Sequence, residues 1–180
     1  MAKNYPSIVI TRDMLEAAKA LIPSTRVLRT VASKIDTLTG HLGEFAFAEY
    51  FYRNWRKHRV GRNKGETDFD DIEIKTSTFP FSERLNLLVR EDYARKRKPS
   101  FYVQIIIDVD TRDARDIAAG TNAYICGFAF AKEIDNAPKR DFGSKFGHEG
   151  GYQCHYISIK NLHSMEVFAK VYRNLKDGRL

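Results

Sequence analysis

The sequence predicts an α/β protein in which helices flank a central mixed β-sheet. Helical patterns come first in the chain, strand-like segments follow, and another helical pattern closes it. Elements in this order generally pack as layers around one hydrophobic core. A chain of 180 residues is long enough for such a core, so we expect a single domain over 1–180.

Three segments have helical periodicity. Thr11 is expected to cap a helix over 11–21, TRDMLEAAKAL. A second helix is expected to begin near Lys34 or Thr39 and to run through GHLGEFAFAEYFYRNW. Because this second segment is apolar around most of its circumference, we expect it to lie against the sheet. The closing helix is predicted over 164–175.

The middle of the chain has the composition of short strands. The apolar segments FYVQIIIDV and AYICGFAFA are typical of strands that are buried on both faces. Asp70 and Asp71 separate two shorter apolar segments and predict a tight hairpin turn. Strands are expected over 66–69, 72–77, 85–89, 101–109, 123–131 and 156–159, with a short helix over 91–98 and a loop over 136–151.

The chain carries no pattern of a membrane or secreted protein. No apolar run approaches the roughly 20 residues that span a bilayer, and the first residues lack a signal-peptide pattern. Cys126 and Cys154 are far apart and form no CxxC pair, which favours buried free thiols over a zinc site. We therefore expect a soluble cytoplasmic protein without a membrane partner.

The charge of the chain indicates a polyanionic partner. The formal net charge is +7 and the basic residues are clustered, for example in RNWRKHRVGRNK and RKRK. Such clusters are typical of nucleic-acid-binding proteins, although an ordinary basic surface would give the same composition.

The segment DFDDIEIKTS gathers acids in this basic chain. Side chains alternate along a strand, so Glu73 and Lys75 should share one face while Ile72 and Ile74 enter the core. If Asp70-Asp71 form the turn, Asp68 is the cross-strand partner of Glu73. Two adjacent carboxylates need a cation, which either a Mg²⁺ ion or the Lys75 ammonium would supply. A metal site and an acidic hairpin neutralised by lysine therefore remain as alternatives.

This arrangement resembles the PD-(D/E)XK nuclease superfamily, which has the restriction-endonuclease-like fold. The motif consists here of Asp68 and the tripeptide Glu-Ile-Lys at 73–75, with Thr67 where the named proline would stand. That position is permissive in the family. The resemblance covers about residues 40–109.

The family often adds a glutamate from the preceding helix. Glu44 in GHLGEFAFAEYF occupies the corresponding place, and the neighbouring Gly40 and Gly43 would allow the helix to approach the sheet closely. Glu49 is the competing candidate, but the setting of Glu44 fits the family better.

The resemblance implies metal-dependent hydrolysis of phosphodiester bonds in DNA, as by an endonuclease. Asp68, Glu73 and the backbone carbonyl of Ile74 would bind Mg²⁺, for which Mn²⁺ could substitute. Lys75 would orient the attacking water, and Glu44 is a further candidate for the metal. The expected catalytic residues are Glu44, Asp68, Glu73 and Lys75.

Basic residues near these acids are candidate contacts for DNA phosphates. They are Arg56, Lys57, Arg62, Lys64, Arg84, Lys96 and Arg97. Gln104 lies within the apolar run FYVQIIIDV, where it needs either a buried hydrogen bond or a place at the site; we favour the first.

Two other functions remain open on the sequence alone. The same fold could act without cleavage as a nucleic-acid-binding or assembly module. Alternatively, the acidic hairpin of a small basic α/β protein could bind a protein partner. A homodimer would suit cleavage of both DNA strands, although no residue establishes one.

Overall fold

A computed structural model describes residues 4–22, 34–58, 67–92, 99–142 and 153–178 of the chain. These residues form a mixed α/β fold. The helices are α1 (Arg12–Leu21), α2 (Lys34–Tyr52), α3 (Ala131–Asn136) and α4 (Phe168–Lys176). The strands are β1 (Ser7–Val9), β2 (Ile72–Phe79), β3 (Asn86–Arg90), β4 (Phe101–Asp108), β5 (Asn122–Phe130), β6 (Lys139–Asp141) and β7 (Gln153–Ser158). Short 3₁₀ turns cover Trp55–Lys57, Ile159–Asn161 and Met165–Val167.

The described strands form two sheets, not the single sheet that the sequence predicted. The larger sheet is mixed and has the order β1-β5-β4-β2, in which β2 runs parallel to β4 and the other neighbours are antiparallel. The smaller sheet is antiparallel, with the order β3-β7-β6. Strand β2, which carries the acidic motif, is therefore an edge strand of the larger sheet as formed by the described residues.

Alternate residues of β4 contact two separate cores. Val103 and Ile105 belong to the cluster formed with α1, α2 and Phe168 at the start of α4. Tyr102 and Ile106 belong to the cluster formed with β3 and the segment around Ile159. One face of the larger sheet thus packs against helices and the other against the smaller sheet, and every residue of β4 from Phe101 to Ile107 is buried.

The helix predictions are largely confirmed. The side chain of Thr11 accepts a hydrogen bond from the Met14 N–H at 3.2 Å and caps α1. Helix α2 begins at Lys34 and ends at Tyr52, and Trp55 lies in a separate turn. None of the described helices has the length and apolarity needed to cross a bilayer. Cys126 and Cys154 are free and buried, as expected.

Several smaller predictions need correction. Strand β1 and helix α3 were not predicted, and β6 lies at 139–141, where a loop was expected. The closing helix is split into a 3₁₀ turn and α4. Most of the helix predicted over 91–98 and residues 143–151 of the predicted loop lie outside the described residues.

Helix α2 lies directly on β2 at Gly43. A Cβ atom at this position would overlap the side chain of Thr76, whereas a Cβ at Gly40 would meet nothing within 4 Å. Beside this contact, the hydroxyls of Thr39 and Thr78 share a hydrogen bond of 2.6 Å. Of the two glycines that the sequence indicated for close packing, only Gly43 has that role, and the contact holds the neighbouring Glu44 close to β2.

Candidate active site

The acidic segment begins with the predicted two-residue turn. The backbone groups of Phe69 and Ile72 exchange hydrogen bonds of 3.0 and 2.7 Å around Asp70 and Asp71. Asp70 has a φ of 46°, a left-handed conformation that aspartate tolerates better than most residues. Only Phe69 pairs with Ile72, however, and this pair is an isolated bridge. The expected strand over 66–69 and the backbone pairing of Asp68 with Glu73 are therefore wrong for the described residues.

Asp68 reaches β2 through its side chain instead. Its Oδ2 atom accepts a hydrogen bond of 2.8 Å from the backbone N–H of Ile74. The carboxylate thus occupies the place that a carbonyl of a neighbouring strand would take. This bond fixes the Asp68 carboxylate beside Ile74, near the beginning of β2 and next to Glu73 along the strand.

Glu73 and Lys75 share one face of β2, as predicted from the alternation of side chains. The Lys75 ammonium donates to Glu73 Oε1 at 2.8 Å. Glu73 is 5% exposed, whereas the Lys75 side chain retains 23% of its accessible surface. Ile72 and Ile74 point into the core on the opposite face, with the helices. The pair therefore joins a buried carboxylate to an ammonium that solvent can reach.

Glu44 completes the cluster from α2. Burial, and then the negative charges of Asp68 and Glu73, raise the pKa of Glu44 well above its ordinary value. The competing candidate Glu49 has a structural role, because its carboxylate accepts the N–H of Trp55 at 2.9 Å and caps the turn after α2. Glu44 is therefore close enough to Asp68 and Glu73 for their charges to act on it, while its assignment to the catalytic site stays a prediction.

The donor atoms of this cluster suit a hard divalent cation. Among the described residues, no three His, Cys, Asp or Glu side chains lie close enough together to form a ready ligand group. Charges act over longer distances than coordination bonds do, so Asp68 and Glu73 still disfavour ionisation of Glu44. Carboxylate oxygens and a backbone carbonyl are the ligands that Mg²⁺ uses, and Mg²⁺ often binds only one or two carboxylates. The residues present fit such an ion.

Gln104 lies next to Lys75 in the parallel register of β2 and β4. It is 1% exposed, and its Nε2 atom donates to the carbonyl of Ile105 at 2.9 Å, where the pairing of β4 with β5 shifts register. This buried hydrogen bond agrees with the structural role that the sequence favoured.

The smaller sheet also lies near Lys75, which the sequence did not predict. Burial raises the pKa of the Cys154 thiol, and the nearby positive charges of Arg90 and Lys75 oppose that shift. Cys154 belongs to β7, and Arg90 is its register partner on β3. Only the pairing of β3 with β7, distant in the chain, places these residues near the motif, so no local pattern could have indicated them.

Three of the seven basic candidates lie within the described residues. Arg56, Lys57 and Arg84 are exposed. The Arg56 guanidinium lies 4.4 Å from the centre of the Trp55 ring, and the Lys57 ammonium lies 5.5 Å from that of Tyr52. The other four, Arg62, Lys64, Lys96 and Arg97, lie outside the described residues.

Comparisons of the chain with protein-family models, curated proteins and solved structures found no match.

Proposed function

We propose that this protein is a Mg²⁺-dependent nuclease that hydrolyses phosphodiester bonds in DNA, with the restriction-endonuclease-like fold of the PD-(D/E)XK superfamily. One observation carries the proposal: Glu44, Asp68 and Glu73 form a charge cluster, and Lys75 contacts Glu73 at 2.8 Å. Asp68, Glu73 and Lys75 are the groups that the motif requires, and Glu44 is the acid that the family often adds from the preceding helix.

Asp68 and Glu73 would hold the metal, together with the carbonyl oxygen of Ile74. The ion would supply a Lewis acid for the phosphate and a water of lowered pKa. Asp68 is positioned for this role by its bond to the Ile74 N–H. Glu73 is positioned by burial and by its place on a regular strand.

Lys75 orients the nucleophilic water and stabilises the negative charge that develops on the phosphate. Its ammonium can do so because it is held at a defined place by Glu73 while remaining partly exposed. A phosphate that approaches the cluster would meet this positive charge first.

Glu44 has a raised pKa and supports the cluster as a proton acceptor or as a further ligand. A carboxyl that exchanges its proton at a higher pH than usual is suited to general acid–base work. Its charge would be stabilised once a cation lies near Asp68 and Glu73.

Cleavage of supercoiled plasmid DNA with Mg²⁺ or Mn²⁺, and with EDTA as the blank, tests the proposal. We expect Lys75→Ala and Glu73→Gln to lower the cleavage rate by about 100-fold or more, since each loses a group that acts on the transition state. Asp71→Asn removes a neighbouring turn carboxylate and is the matched control, expected to cleave at the wild-type rate. Wild-type cleavage by Lys75→Ala would contradict the assignment.

A nucleic-acid-binding module without cleavage is the second candidate. One observation favours it, because the contact between Lys75 and Glu73 neutralises the glutamate without a metal. The same experiment separates the two functions: the binding module retards DNA in a gel but leaves plasmid intact at every metal concentration.

A further inference from the structure

A groove lies between the end of α2 and the beginning of α4, apart from the acidic cluster. Its volume is about 450 Å³. Aromatic and cationic side chains dominate the wall, including Tyr50, Phe51, Tyr172, Arg53 and Arg173. Neither the acidic motif nor its expected phosphate contacts include these residues.

The aromatic wall is held in place by packing. The rings of Phe51 and Tyr172 meet edge to face at 5.8 Å, and Phe168 packs against both from below. The hydroxyl of Tyr50 donates to the Met165 carbonyl at 3.3 Å. The groove is therefore built from ordered rings, which lose little conformational entropy when a flat ligand stacks on them.

Two guanidinium groups lie at this wall. Arg53 and Arg173 are exposed and, within the described part of the chain, neither forms a salt bridge. Glu166 is the one carboxylate among the lining residues. Two arginines and one glutamate leave the groove with a net positive charge, which complements an anion.

Arg53 has an unusual backbone conformation for its residue type. Its φ is 56°, in the left-handed region where a glycine is the usual residue just after a helix. Its N–H still bonds to the Glu49 carbonyl at 2.9 Å, so the position is an ordered helix end. A glycine would adopt this backbone conformation with less strain. The stability of the fold therefore does not explain why an arginine occupies this position.

The groove adjoins the acidic segment. The hydroxyl of Tyr172 donates to Asp70 at 3.4 Å, and Lys176 contacts Asp71 at the same distance. Asp70 lies two residues from Asp68. The groove therefore borders the turn that precedes β2.

We propose that this groove binds an unpaired stretch of a nucleic-acid strand, with a base stacked on the aromatic wall and a phosphate held by Arg53 and Arg173. Aromatic rings and arginines in one groove are the usual means of binding single strands. The inference rests on the proposed function for the identity of the polymer, and it adds a preference for unpaired over duplex segments.

Binding of a short fluorescein-labelled oligo(dT), measured by anisotropy in EDTA so that no cleavage occurs, tests this site. We expect Arg53→Gly and Arg173→Gln each to weaken binding by about 10-fold. Lys170→Gln removes one positive charge from an exposed position of α4 outside the groove and should weaken it less than about 2-fold. Arg53→Gly should melt at or above the wild-type temperature, since it relieves the left-handed conformation.

Three further variants separate stacking and charge. Tyr172→Leu should weaken oligo(dT) binding by about 10-fold, whereas Tyr172→Phe, which keeps the ring, should bind as the wild type does. Glu166→Gln should bind more tightly because it removes the negative charge at the groove.

Each contrary result overturns the inference. Equal losses of oligo(dT) affinity in Arg53→Gly, Arg173→Gln and Lys170→Gln would mean that overall charge alone explains the binding. Equal affinity for a duplex of the same length would contradict the preference for unpaired strands. Absence of any oligo(dT) binding would refute the site. Plasmid cleavage is measured separately, so a protein that binds oligo(dT) in the groove but never cleaves contradicts the proposed function and leaves this inference standing.

Discussion

The pKa of Glu44 depends on the position of this carboxyl in the folded protein. Burial and the charges of Asp68 and Glu73 raise its pKa, so the folded protein binds this proton more tightly than the unfolded chain does. Stability that depends on the protonated carboxyl is present at acid pH and is lost as the pH rises through the raised pKa. The charged form that prevails above that pKa is the one that a cation would stabilise.

A comparison of wild type with Glu44→Gln across pH tests this linkage. We expect the variant to be the more stable protein at neutral pH, because it never carries the buried charge. The difference in urea midpoint should shrink as the pH falls below the ordinary pKa of glutamate. A difference that is constant with pH would contradict the prediction, and Glu16→Gln, on the exposed side of α1, controls for the loss of an acid.

The residues of the motif could be predicted because they depend on local periodicity. Glu73 and Lys75 are two positions apart, which places both on one face of any strand, and both lie on one face of β2. The contact of Asp68 with the Ile74 N–H could not be predicted in this way, because it depends on the edge of β2 at which the described residues place no further strand. This contact depends on the place of β2 in the folded sheet, which no local sequence pattern encodes.

At the scale of elements, the contact between α2 and β2 positions the site. Gly43→Ala would drive a methyl group into the Thr76 side chain. We expect a loss of about 1–3 kcal/mol in the free energy of unfolding, as is usual when a packed contact is overfilled. Plasmid cleavage should fall as well, because α2 carries Glu44.

Gly40→Ala is the matched control for this prediction. The position has open space around it and belongs to the same helix, so alanine should stabilise the protein by up to about 1 kcal/mol. Chemical denaturation of both variants measures the two effects. Equal changes in the free energy of unfolding for the two variants would show that the close approach at Gly43 does not contribute to stability.

Elements were predictable where their hydrophobic pattern was long. Strand β4 is an apolar run buried on both faces, and its composition identified it. Strand β6 has only three residues, Lys139 to Asp141, and all of them are exposed. Such a strand forms only because it pairs with β7, so β6 had no signal of its own in the sequence.

At the scale of the whole molecule, the net charge of +7 should govern affinity for nucleic acid. Binding of a DNA duplex releases counterions, and log K should fall linearly with the logarithm of salt concentration. For about four phosphate contacts, we expect affinity to fall by about 100-fold between 50 and 200 mM salt. Anisotropy titrations at several salt concentrations measure the slope, and a slope near zero would exclude a polyanionic partner.

The position of β2 has a consequence for self-association. An outermost strand offers free N–H and carbonyl groups to any other extended chain, and many proteins protect such strands from intermolecular pairing. The Asp68 carboxylate occupies the Ile74 N–H, and Lys75 places a charge one residue further along the same strand. The groups proposed for catalysis therefore also protect the protein against aggregation through strand addition. Asp68→Asn, which keeps an acceptor oxygen for that N–H, removes the charge without opening the strand as Asp68→Ala would.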